Sequence, residues 1–322
     1  MNQASAPRAL ASKLLQLPAD PTLALVFPGQ GSQKVGMARD LCSSSTPAKE
    51  VFDAADAALG FSLSTLCFEG PEDSLTVTSN TQPAILTASI AILAAALDAE
   101  TIDRRPAFVA GHSLGEYSAL VAAGSLDFTV AVQLVRERGR LMEQAGQALP
   151  GTLAAIVGLD QAAVEAICKD SGAEVANYNA PTQTVIGGPA DAVERACALA
   201  KERGGRGLPV KVSGAFHTSL MESAAVAFTQ HLTGVQIDDA RIPVIANVTS
   251  NAITTATDVR ADLEQQVRSP VLWHQSIDAM ANAGVTRVIE VGPGKILTAQ
   301  LKRSHPKLGV RALEELSETA NV

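Results

Sequence analysis

Several features that often reveal a protein's class are scarce in this sequence of 322 residues. Aromatic residues make up only 3% of the chain and include a single tryptophan. The four cysteines, Cys42, Cys67, Cys168 and Cys197, form no C-x-x-C pair, so we expect free thiols rather than disulfides or a thiolate metal site. Positive charge is also scarce, because the formal net charge is −8. This charge argues against general binding to nucleic acid.

A long apolar run is missing as well. The strongest candidate, residues 85–97, contains two hydroxyl side chains and falls short of the ~20 residues that span a bilayer. We therefore expect a cytoplasmic protein with no membrane partner. The first 20 residues carry Arg8 and Lys13 but no acidic residue before Asp20, and this pattern predicts a flexible N-terminal tail.

Apolar residues make up 47% of the chain, which is enough to bury a large core. Short apolar strands, such as 23–27, 107–110 and 285–291, alternate with helical periodicity, which predicts a doubly wound α/β domain with parallel strands. Catalytic and ligand sites in such domains lie at the carboxyl ends of the strands. The turn Gly29-Gln30-Gly31 and a serine turn at 111–115 both follow strand ends.

Neither glycine-rich stretch of the sequence fits a nucleotide-binding motif. Lys34 occupies the third glycine position of a dinucleotide fingerprint that would begin at Gly29. In the other stretch, 292–295, Ile289 stands where a phosphate loop has its first glycine, and Ile296 replaces its serine or threonine. Tight turns between strands and helices are a sufficient explanation for the second stretch.

The segment 151–213 has a rhythm of its own. Its predicted order is strand, helix, strand, strand, helix, strand, which is the βαββαβ order of a ferredoxin-like unit. We therefore predict a tail over 1–20, a large α/β domain formed by 21–146 and 213–322, and a small ferredoxin-like domain over 147–212.

The serine turn is the clearest chemical signal in the sequence. Gly111-His112-Ser113-Leu114-Gly115 follows an apolar strand and fits the nucleophile-elbow pattern G-x-S-x-G, in which a strand turns sharply into a helix. A serine hydroxyl needs a base, usually histidine, to remove its proton. The sequence therefore predicts Ser113 as a nucleophile and requires a histidine partner.

Five histidines compete for the role of base. His112 adjoins the serine on a sharp turn and would point away from it, while His231 and His305 resemble surface residues. His274 follows a tryptophan at a helix start and resembles a packing residue. His217 lies where a strand ends in small residues and a helix begins, which makes it a candidate, although spacing alone does not select it.

Five motifs in the chain, in this order, resemble those of malonyl-CoA:acyl-carrier-protein transacylases, the acyltransferases of bacterial-type fatty acid and polyketide synthesis. They are Phe27–Gln33, Gly111–Tyr117, Arg136–Gly139, Gly214–Thr218 and Glu290–Leu297. The resemblance runs from about Leu23 to Arg303. It implies an α/β-hydrolase-like large domain with an inserted ferredoxin-like small domain and an active site in the cleft between them.

The resemblance also implies roles for individual residues. Ser113 would be the nucleophile and His217 its base, oriented by the backbone carbonyl of Gln266 instead of an acidic side chain. The backbone N–H groups of Gln30 and Leu114 would form the oxyanion hole, which stabilises the negative charge of the tetrahedral intermediate.

Further residues match substrate-binding positions of the family. Arg138 would hold the malonyl carboxylate. Leu114 and Phe216 match a malonyl-selective pattern, because a bulky Phe216 would crowd a substituent on the acyl α-carbon. Asn179 and Asn247 match polar positions near the family's site, without a specific role.

Helix geometry gives an independent reason to single out Arg138. Residues two apart on a helix point about 200° from each other, so Arg138 cannot share one face with both Arg136 and Arg140. If those two are outside, Arg138 points inward, toward Leu134 and Met142. A buried guanidinium needs a partner, and a carboxylate fits its two parallel N–H groups.

The expected reaction has two half-reactions that share a malonyl-serine ester and need no cofactor or metal. The expected partners are malonyl-CoA and an acyl carrier protein, and we expect a monomer. Carrier proteins of this type are generally acidic, so docking calls for a local basic patch on an acidic chain. The candidate patch residues are Lys201, Arg203, Arg206, Lys302 and Arg303.

Two alternatives remain open at this point. A serine esterase or thioesterase of the α/β-hydrolase type would share the elbow, but it needs an acid between serine and histidine in chain order and usually an HGGG loop, which is absent. A carrier-protein docking module without catalysis would have no use for both Ser113 and His217. The sequence does not distinguish fatty acid from polyketide synthesis.

Overall fold

The structure, a computed structural model, describes residues 6–210 and 212–313. Its strands in chain order are β1 (Ala19–Phe27), β2 (Arg105–Gly111), β3 (Thr152–Val157), β4 (Glu174–Ala180), β5 (Gln183–Gly188), β6 (Arg206–Val210), β7 (Val244–Ile245), β8 (Ala252–Ile253), β9 (Arg287–Glu290) and β10 (Gly309–Ala312). Its α-helices are α1 (Ala6–Gln16), α2 (Arg39–Ser44), α3 (Thr46–Leu59), α4 (Leu63–Glu69), α5 (Glu72–Thr76), α6 (Thr78–Asp98), α7 (Gly115–Ala122), α8 (Phe128–Ala148), α9 (Gln161–Ser171), α10 (Ala190–Glu202), α11 (Glu222–Leu232), α12 (Ala256–Gln266), α13 (Trp273–Asn282) and α14 (Ile296–Ser304). The chain is therefore a mixed α/β protein, as predicted.

The larger sheet has the strand order β10-β9-β1-β2-β7-β8 and is parallel except for β8. Residues 23–27 of β1 are buried because helices cover both faces of the sheet centre. Phe27 pairs with Gly111, so the turns that follow β1 and β2 leave the sheet side by side. This register brings the Gly29–Gly31 turn next to the serine turn.

The longest helices, α6 and α8, pack against each other on one face of this sheet. Helix α6 is longer than the apolar run in the sequence suggests, since it begins at Thr78 and continues through Pro83. By length and composition alone it could cross a membrane, so our statement that no segment reaches that length is wrong. However, 83% of its apolar window is buried inside the protein, as in the core helix of a soluble protein.

The smaller sheet is antiparallel and has the strand order β4-β5-β3-β6. Helices α9 and α10 cover one of its faces with a separate cluster of apolar residues that includes Ile156, Ile167 and Ala196. Strand β4 also contacts the segment between α12 and α13, where the Tyr178 N–H donates to the Val271 carbonyl at 2.9 Å. This contact fixes the small sheet beside the segment that follows α12.

The predicted flexible tail does not hold for residues 6–20, whereas residues 1–5 lie outside the described part of the chain. Residues 6–16 form α1, and strand β1 already begins at Ala19. Leu10 and Leu14 are buried in the main core because a spacing of four residues places them on one helix face. The prediction of free cysteines is confirmed, since all four thiols are unpaired.

Candidate active site

Ser113 lies in a backbone conformation that few residues other than glycine adopt. Its φ is 52°, in the left-handed region, at the turn between β2 and α7. Both flanking glycines are required by close backbone contacts. A Cβ on Gly111 would lie 1.9 Å from the Gly115 carbonyl carbon, and one on Gly115 would lie 2.1 Å from the Phe27 oxygen. The G-x-S-x-G pattern therefore forms the sharp turn that it predicts.

Asn247 holds this turn in place from a neighbouring segment. Its Oδ1 accepts a hydrogen bond from the Ser113 N–H at 2.7 Å, and its Nδ2 donates to the Gly111 carbonyl at 2.7 Å. Asn247 is 1% exposed and follows β7, the strand next to β2. The strained turn is thus fixed by a side chain that satisfies its donor and its acceptor at once.

Ser113 and His217 form a hydrogen-bonded pair. The Ser113 Oγ lies 2.7 Å from the His217 Nε2. The other ring nitrogen, Nδ1, lies 2.9 Å from the Gln266 carbonyl and 3.2 Å from the Ser269 carbonyl. Since a carbonyl can only accept, Nδ1 carries the proton, and Nε2 is left with a lone pair that faces the serine hydroxyl.

The electrostatic surroundings keep this histidine neutral. Burial and then the positive charge of Arg138 lower the pKa of His217 to about 3. The imidazole is therefore in its basic form at neutral pH. Its backbone has φ of 62° and is anchored by a hydrogen bond from its N–H to the Val267 carbonyl at 3.1 Å.

Two backbone N–H groups lie at the adjoining strand ends. Leu114 is the N-terminal cap of α7, and Gln30 lies in the turn after β1. Within residues 6–210 and 212–313, neither N–H donates to a protein acceptor. The first N–H groups of a helix are unpaired in this way and attract negative charge.

Arg138 lies on the inner face of α8 and is 1% exposed. One terminal nitrogen donates to Gln82 Oε1 at 2.9 Å, and the other donates to Gln266 Oε1 at 2.9 Å and to Ser113 Oγ at 3.2 Å. All three acceptors are neutral. In the described part of the chain, no carboxylate forms an ion pair with Arg138, and its Nε is buried without a partner.

The neighbours of Arg138 on α8 point as helix geometry predicts. Arg140 is exposed and pairs with Glu137, and the guanidinium of Arg136 lies 4.4 Å from the Phe61 ring centroid. Met142, one turn further along the helix, is buried, and its Sδ lies 3.3 Å from the Gln82 amide nitrogen. Gln82 thus joins Met142 to the arginine.

The remaining predicted residues lie close to the pair but face in different directions. Phe216 directly precedes His217 and is buried in the main core. Asn179 extends from β4 of the small sheet, and its Oδ1 lies 2.8 Å from the His112 Nε2. Its carbonyl also accepts a hydrogen bond from the Gln300 side chain. Asn179 therefore connects the small sheet to the serine turn.

Three buried polar residues at the site were not singled out from the sequence. Gln82 lies in the apolar helix α6, Glu116 follows the nucleophile motif directly, and Asp262 lies on α12. Burial raises the pKa of both carboxyl groups, and repulsion from Asp262 raises the pKa of Glu116 further, well above its usual range. No local signal marks Gln82, because α6 contains several other polar side chains.

One group away from the serine brings possible metal ligands together. Atoms of His274, Asp278 and His305 lie within 4.8 Å of one another, and His305 is largely buried rather than a surface residue. The two imidazoles lie 3.4 and 3.2 Å from the Asp278 carboxylate. The Nδ1 of His274 is buried with no partner among the described residues. Metal-binding histidines normally donate that second nitrogen, so simple hydrogen bonding to Asp278 explains the group better.

A serine at the end of a parallel strand, a neutral histidine base and a buried cation beside them form the arrangement expected of enzymes that transfer an acyl group through a serine ester. A model of the acyl transferase domain family matches residues 24–317. The malonyl CoA-acyl carrier protein transacylase of Bacillus subtilis (strain 168) is 44% identical over 299 residues, which cover 91% of this chain and 93% of that protein. The chain belongs to the acyl transferase family, and the predicted resemblance is confirmed.

Solved structures are similar over nearly the whole chain. An acyl carrier protein S-malonyltransferase from Vibrio cholerae has 43% identity and a TM-score of 0.86, covering 90% of this chain and 96% of that chain. A malonyl-transacylase, solved in complex with a type II polyketide synthase acyl carrier protein, has 38% identity and a TM-score of 0.87 over 92% of this chain and 99% of that chain. The acyltransferase fold is therefore shared along the full catalytic region.

Proposed function

We propose that this protein transfers a malonyl group from malonyl-CoA to the phosphopantetheine thiol of an acyl carrier protein, through a malonyl ester on Ser113. The names of its relatives support the two substrates. The observation that carries the proposal is the buried Arg138, whose guanidinium contacts the nucleophile's oxygen at 3.2 Å and hydrogen-bonds only to neutral acceptors among the described residues. A buried cation at that position is suited to an acyl group that carries its own carboxylate.

The first half-reaction begins with the Ser113–His217 pair. Ser113 Oγ attacks the thioester carbonyl while its proton moves to the His217 Nε2. The N–H groups of Gln30 and Leu114 stabilise the oxyanion that develops on the carbonyl oxygen. The intermediate then collapses, the carbon–sulfur bond breaks, and coenzyme A leaves with the proton from His217.

The second half-reaction is the same chemistry with a different thiol. The carrier's thiol gives its proton to the His217 Nε2 and attacks the ester carbonyl. The carbon–oxygen bond to Ser113 breaks, and the serine oxygen takes the proton back from the histidine. The hydrogen bond from Nδ1 to the Gln266 carbonyl keeps the lone pair of Nε2 directed at the serine hydroxyl in the first half-reaction and at the carrier's thiol in the second.

Arg138 selects the acyl group. A malonyl carboxylate supplies the negative charge that the guanidinium lacks in the free protein, and it can accept two parallel hydrogen bonds. The carboxylate also replaces the contact between the guanidinium and Ser113 Oγ, which frees that oxygen for attack. Leu114 and Phe216 border the same space, which favours an unsubstituted α-carbon over a branched one.

We describe the two sheets as an α/β-hydrolase-like large domain and an inserted ferredoxin-like small domain, with boundaries near residues 147 and 212. The order β4-β5-β3-β6, with antiparallel neighbours throughout, supports the ferredoxin-like description of the insert. The reaction needs no cofactor or metal, since the chemistry requires only a serine, a histidine and backbone donors. We propose in addition that the protein works as a monomer in the cytoplasm.

The carrier protein docks through exposed basic residues: Lys201, Arg203 and Arg206 lie on or beside α10 and β6, and Lys302 and Arg303 lie on α14. All five side chains are exposed. Arg203 already pairs with Asp170, at 3.1 Å, so its charge is partly compensated in the free protein. A surface pair of this kind is weak and can exchange for an acidic group on the carrier.

The contacts of His217 disfavour the esterase alternative. An esterase of this fold orients its histidine with a carboxylate, but the Nδ1 of His217 donates to two backbone carbonyls instead. The same hydrogen bonds give the Ser113–His217 pair a catalytic geometry that a docking module does not need.

One labelling experiment tests the proposal. The wild-type protein is incubated with radiolabelled malonyl-CoA, with Ser113→Ala as the matched control, and the ester is then exposed to a phosphopantetheinylated carrier protein. We expect a serine-bound label that is stable in water and moves to the carrier thiol. Rapid loss of the label to water would favour the esterase, and no label would favour the docking module.

A further inference from the structure

Glu116 is a buried acid that the reaction described above does not use. It lies on α7, three residues after the nucleophile, and is 1% exposed. Its Oε1 accepts a hydrogen bond from the Asn247 N–H at 3.0 Å, and its Oε2 accepts one from the Gln266 side-chain amide. Each carboxyl oxygen therefore serves as an acceptor for a residue that contacts the catalytic machinery.

The side-chain amide of Gln266 links Glu116 to the arginine. Its Nε2 donates to Glu116 and to the Ser113 carbonyl at 3.1 Å, and its Oε1 accepts from Arg138 at 2.9 Å. Both amide hydrogens and the amide oxygen are thus used in a residue that is 0% exposed. If the amide were rotated by half a turn, its NH₂ group would face the guanidinium. The acceptors on Glu116 and on the Ser113 carbonyl therefore hold Gln266 in the orientation that serves Arg138.

Asp262 shows in which protonation state Glu116 performs this role. Its Oδ1 accepts from the Val248 N–H at 3.1 Å, while its Oδ2 is buried and receives no N–H or hydroxyl donor from the described residues. The two buried carboxyl groups are close enough for the charge of Asp262 to raise the pKa of Glu116. Two adjacent buried carboxylates cannot both be charged, and burial with repulsion from Asp262 raises the pKa of Glu116 well above its usual range.

We propose that Glu116 is a positioning residue for the malonyl group: as a neutral acid that donates its proton to Asp262, it holds the Gln266 amide so that its oxygen faces Arg138. The role rests on the proposed function, because it acts only through the residue that binds the malonyl carboxylate. A neutral carboxylic acid suits this position since each of its two oxygens can accept an N–H donor while one also donates.

A glutamine at position 116 separates this role from simple packing. Glu116→Gln keeps the volume and the absence of charge, but it has one acceptor atom for the two N–H donors of Asn247 and Gln266. We expect the amide oxygen to keep the Asn247 N–H, so that the amide of Gln266 turns over and presents its NH₂ group to Arg138. Asp262→Asn is the opposite case, because its NH₂ group can donate to Glu116, whose two acceptors are then kept.

The test compares malonyl with acetyl transfer in both variants and in a control. Ser118→Ala removes a buried hydroxyl on α7 that has no partner among the described residues, so it controls for disturbance of the helix. For Glu116→Gln we expect kcat/KM with malonyl-CoA to fall about 10-fold or more, mainly through KM, as for one lost charge-assisted hydrogen bond. Acetyl transfer should change little, and Asp262→Asn and Ser118→Ala should stay close to the wild-type ratio of malonyl to acetyl.

An unchanged ratio in Glu116→Gln, or an equal loss for both acyl groups, would contradict the positioning role. A wild-type protein that forms no malonyl ester would instead contradict the proposed function itself. If Glu116→Gln does not fold, the protonation state is tested in the wild-type chain by NMR of carboxyl-¹³C-labelled glutamate. We expect one glutamate signal to remain protonated at pH 7, and a spectrum in which every glutamate is ionised would overturn the proposal.

Discussion

The two halves of the active site are built in different ways. The nucleophilic half, Ser113 and His217, is held by the backbone: a strained turn, a strand end and hydrogen bonds to main-chain carbonyls. The acyl-binding half, Arg138, is held by side chains from distant helices, with Gln82 on α6 and Gln266 at the end of α12. The first half sets the reaction, and the second half sets which acyl group reacts.

This difference explains why the nucleophile and the arginine could be predicted from the sequence, whereas the side chains that hold the arginine could not. The sharp turn requires glycines at fixed spacing, so Gly111 and Gly115 mark the nucleophile in any sequence that forms it. Arg138 could be predicted from helix geometry because charged neighbours two residues away had to lie outside. Its partner Gln82 could not, since no local pattern tells which polar side chain of a buried helix meets a cation 56 residues away.

The same reasoning applies to the fold. The three strands predicted at 23–27, 107–110 and 285–291 overlap β1, β2 and β9. The charges of the first 20 residues predict a tail instead of helix α1. The spacing of Leu10 and Leu14, which places both on one buried face, indicates the helix. Helix α6 begins at Thr78, before Pro83, and the apolar run at 85–97 gives no sign of these first residues.

The largest expected effect comes from removing the nucleophile or its base. Ser113→Ala should abolish acyl-enzyme formation, because no other oxygen can form the ester. His217→Ala should slow it by roughly 10²- to 10⁴-fold, as for the loss of a general base. The double variant should be barely slower than Ser113→Ala, since the two residues act as a unit. Single-turnover labelling measures all three, and near-normal labelling of His217→Ala would refute the assignment.

Asn247→Ala should weaken the nucleophilic half without touching its reacting atoms. The Ser113 N–H and the Gly111 carbonyl would lose their partners, which we expect to cost about 1–3 kcal/mol of unfolding free energy. Acyl transfer should fall about 10-fold or more for malonyl and acetyl alike, since the turn serves both. Asn251→Ala, an exposed asparagine nearby, is the matched control. A selective loss of malonyl transfer would place Asn247 in the acyl-binding half instead.

The pH dependence of acylation tests whether burial and the charge of Arg138 lower the pKa of His217. With the pKa of His217 lowered to about 3 by burial and Arg138, the neutral base persists as the pH falls. The rate at pH 5.5 should therefore show no loss from protonation of the histidine. An unperturbed histidine, with a pKa of about 6.5, would lose about 10-fold at that pH. A stopped-flow profile that falls by half near pH 6.5 would show that neither burial nor Arg138 lowers the pKa of His217.

The smallest expected effect comes from surface charges that lie outside both halves of the active site. Charge reversal at Arg206 and Arg303 should raise KM for the carrier protein several-fold, on the order of 1 kcal/mol, and leave KM for malonyl-CoA unchanged. Lys49→Glu, an exposed charge on α3, is the control. The effect should shrink at high salt because surface charges are screened. Equal changes in both constants would show that the variants disturb the site rather than docking.

Arg138→Ala tests most directly whether the second half alone selects the acyl group. Malonyl-ester formation on Ser113 should fall by at least about 10²-fold, because two charge-assisted hydrogen bonds to the carboxylate are lost. Acetyl-ester formation should stay equal or improve, since acetyl-CoA has no carboxylate and leaves the wild-type guanidinium without a charged partner. Arg138→Lys should restore little malonyl transfer, because it offers one point charge instead of two parallel donors. An equal loss for malonyl and acetyl in Arg138→Ala would make the arginine structural and contradict the proposed division of the site.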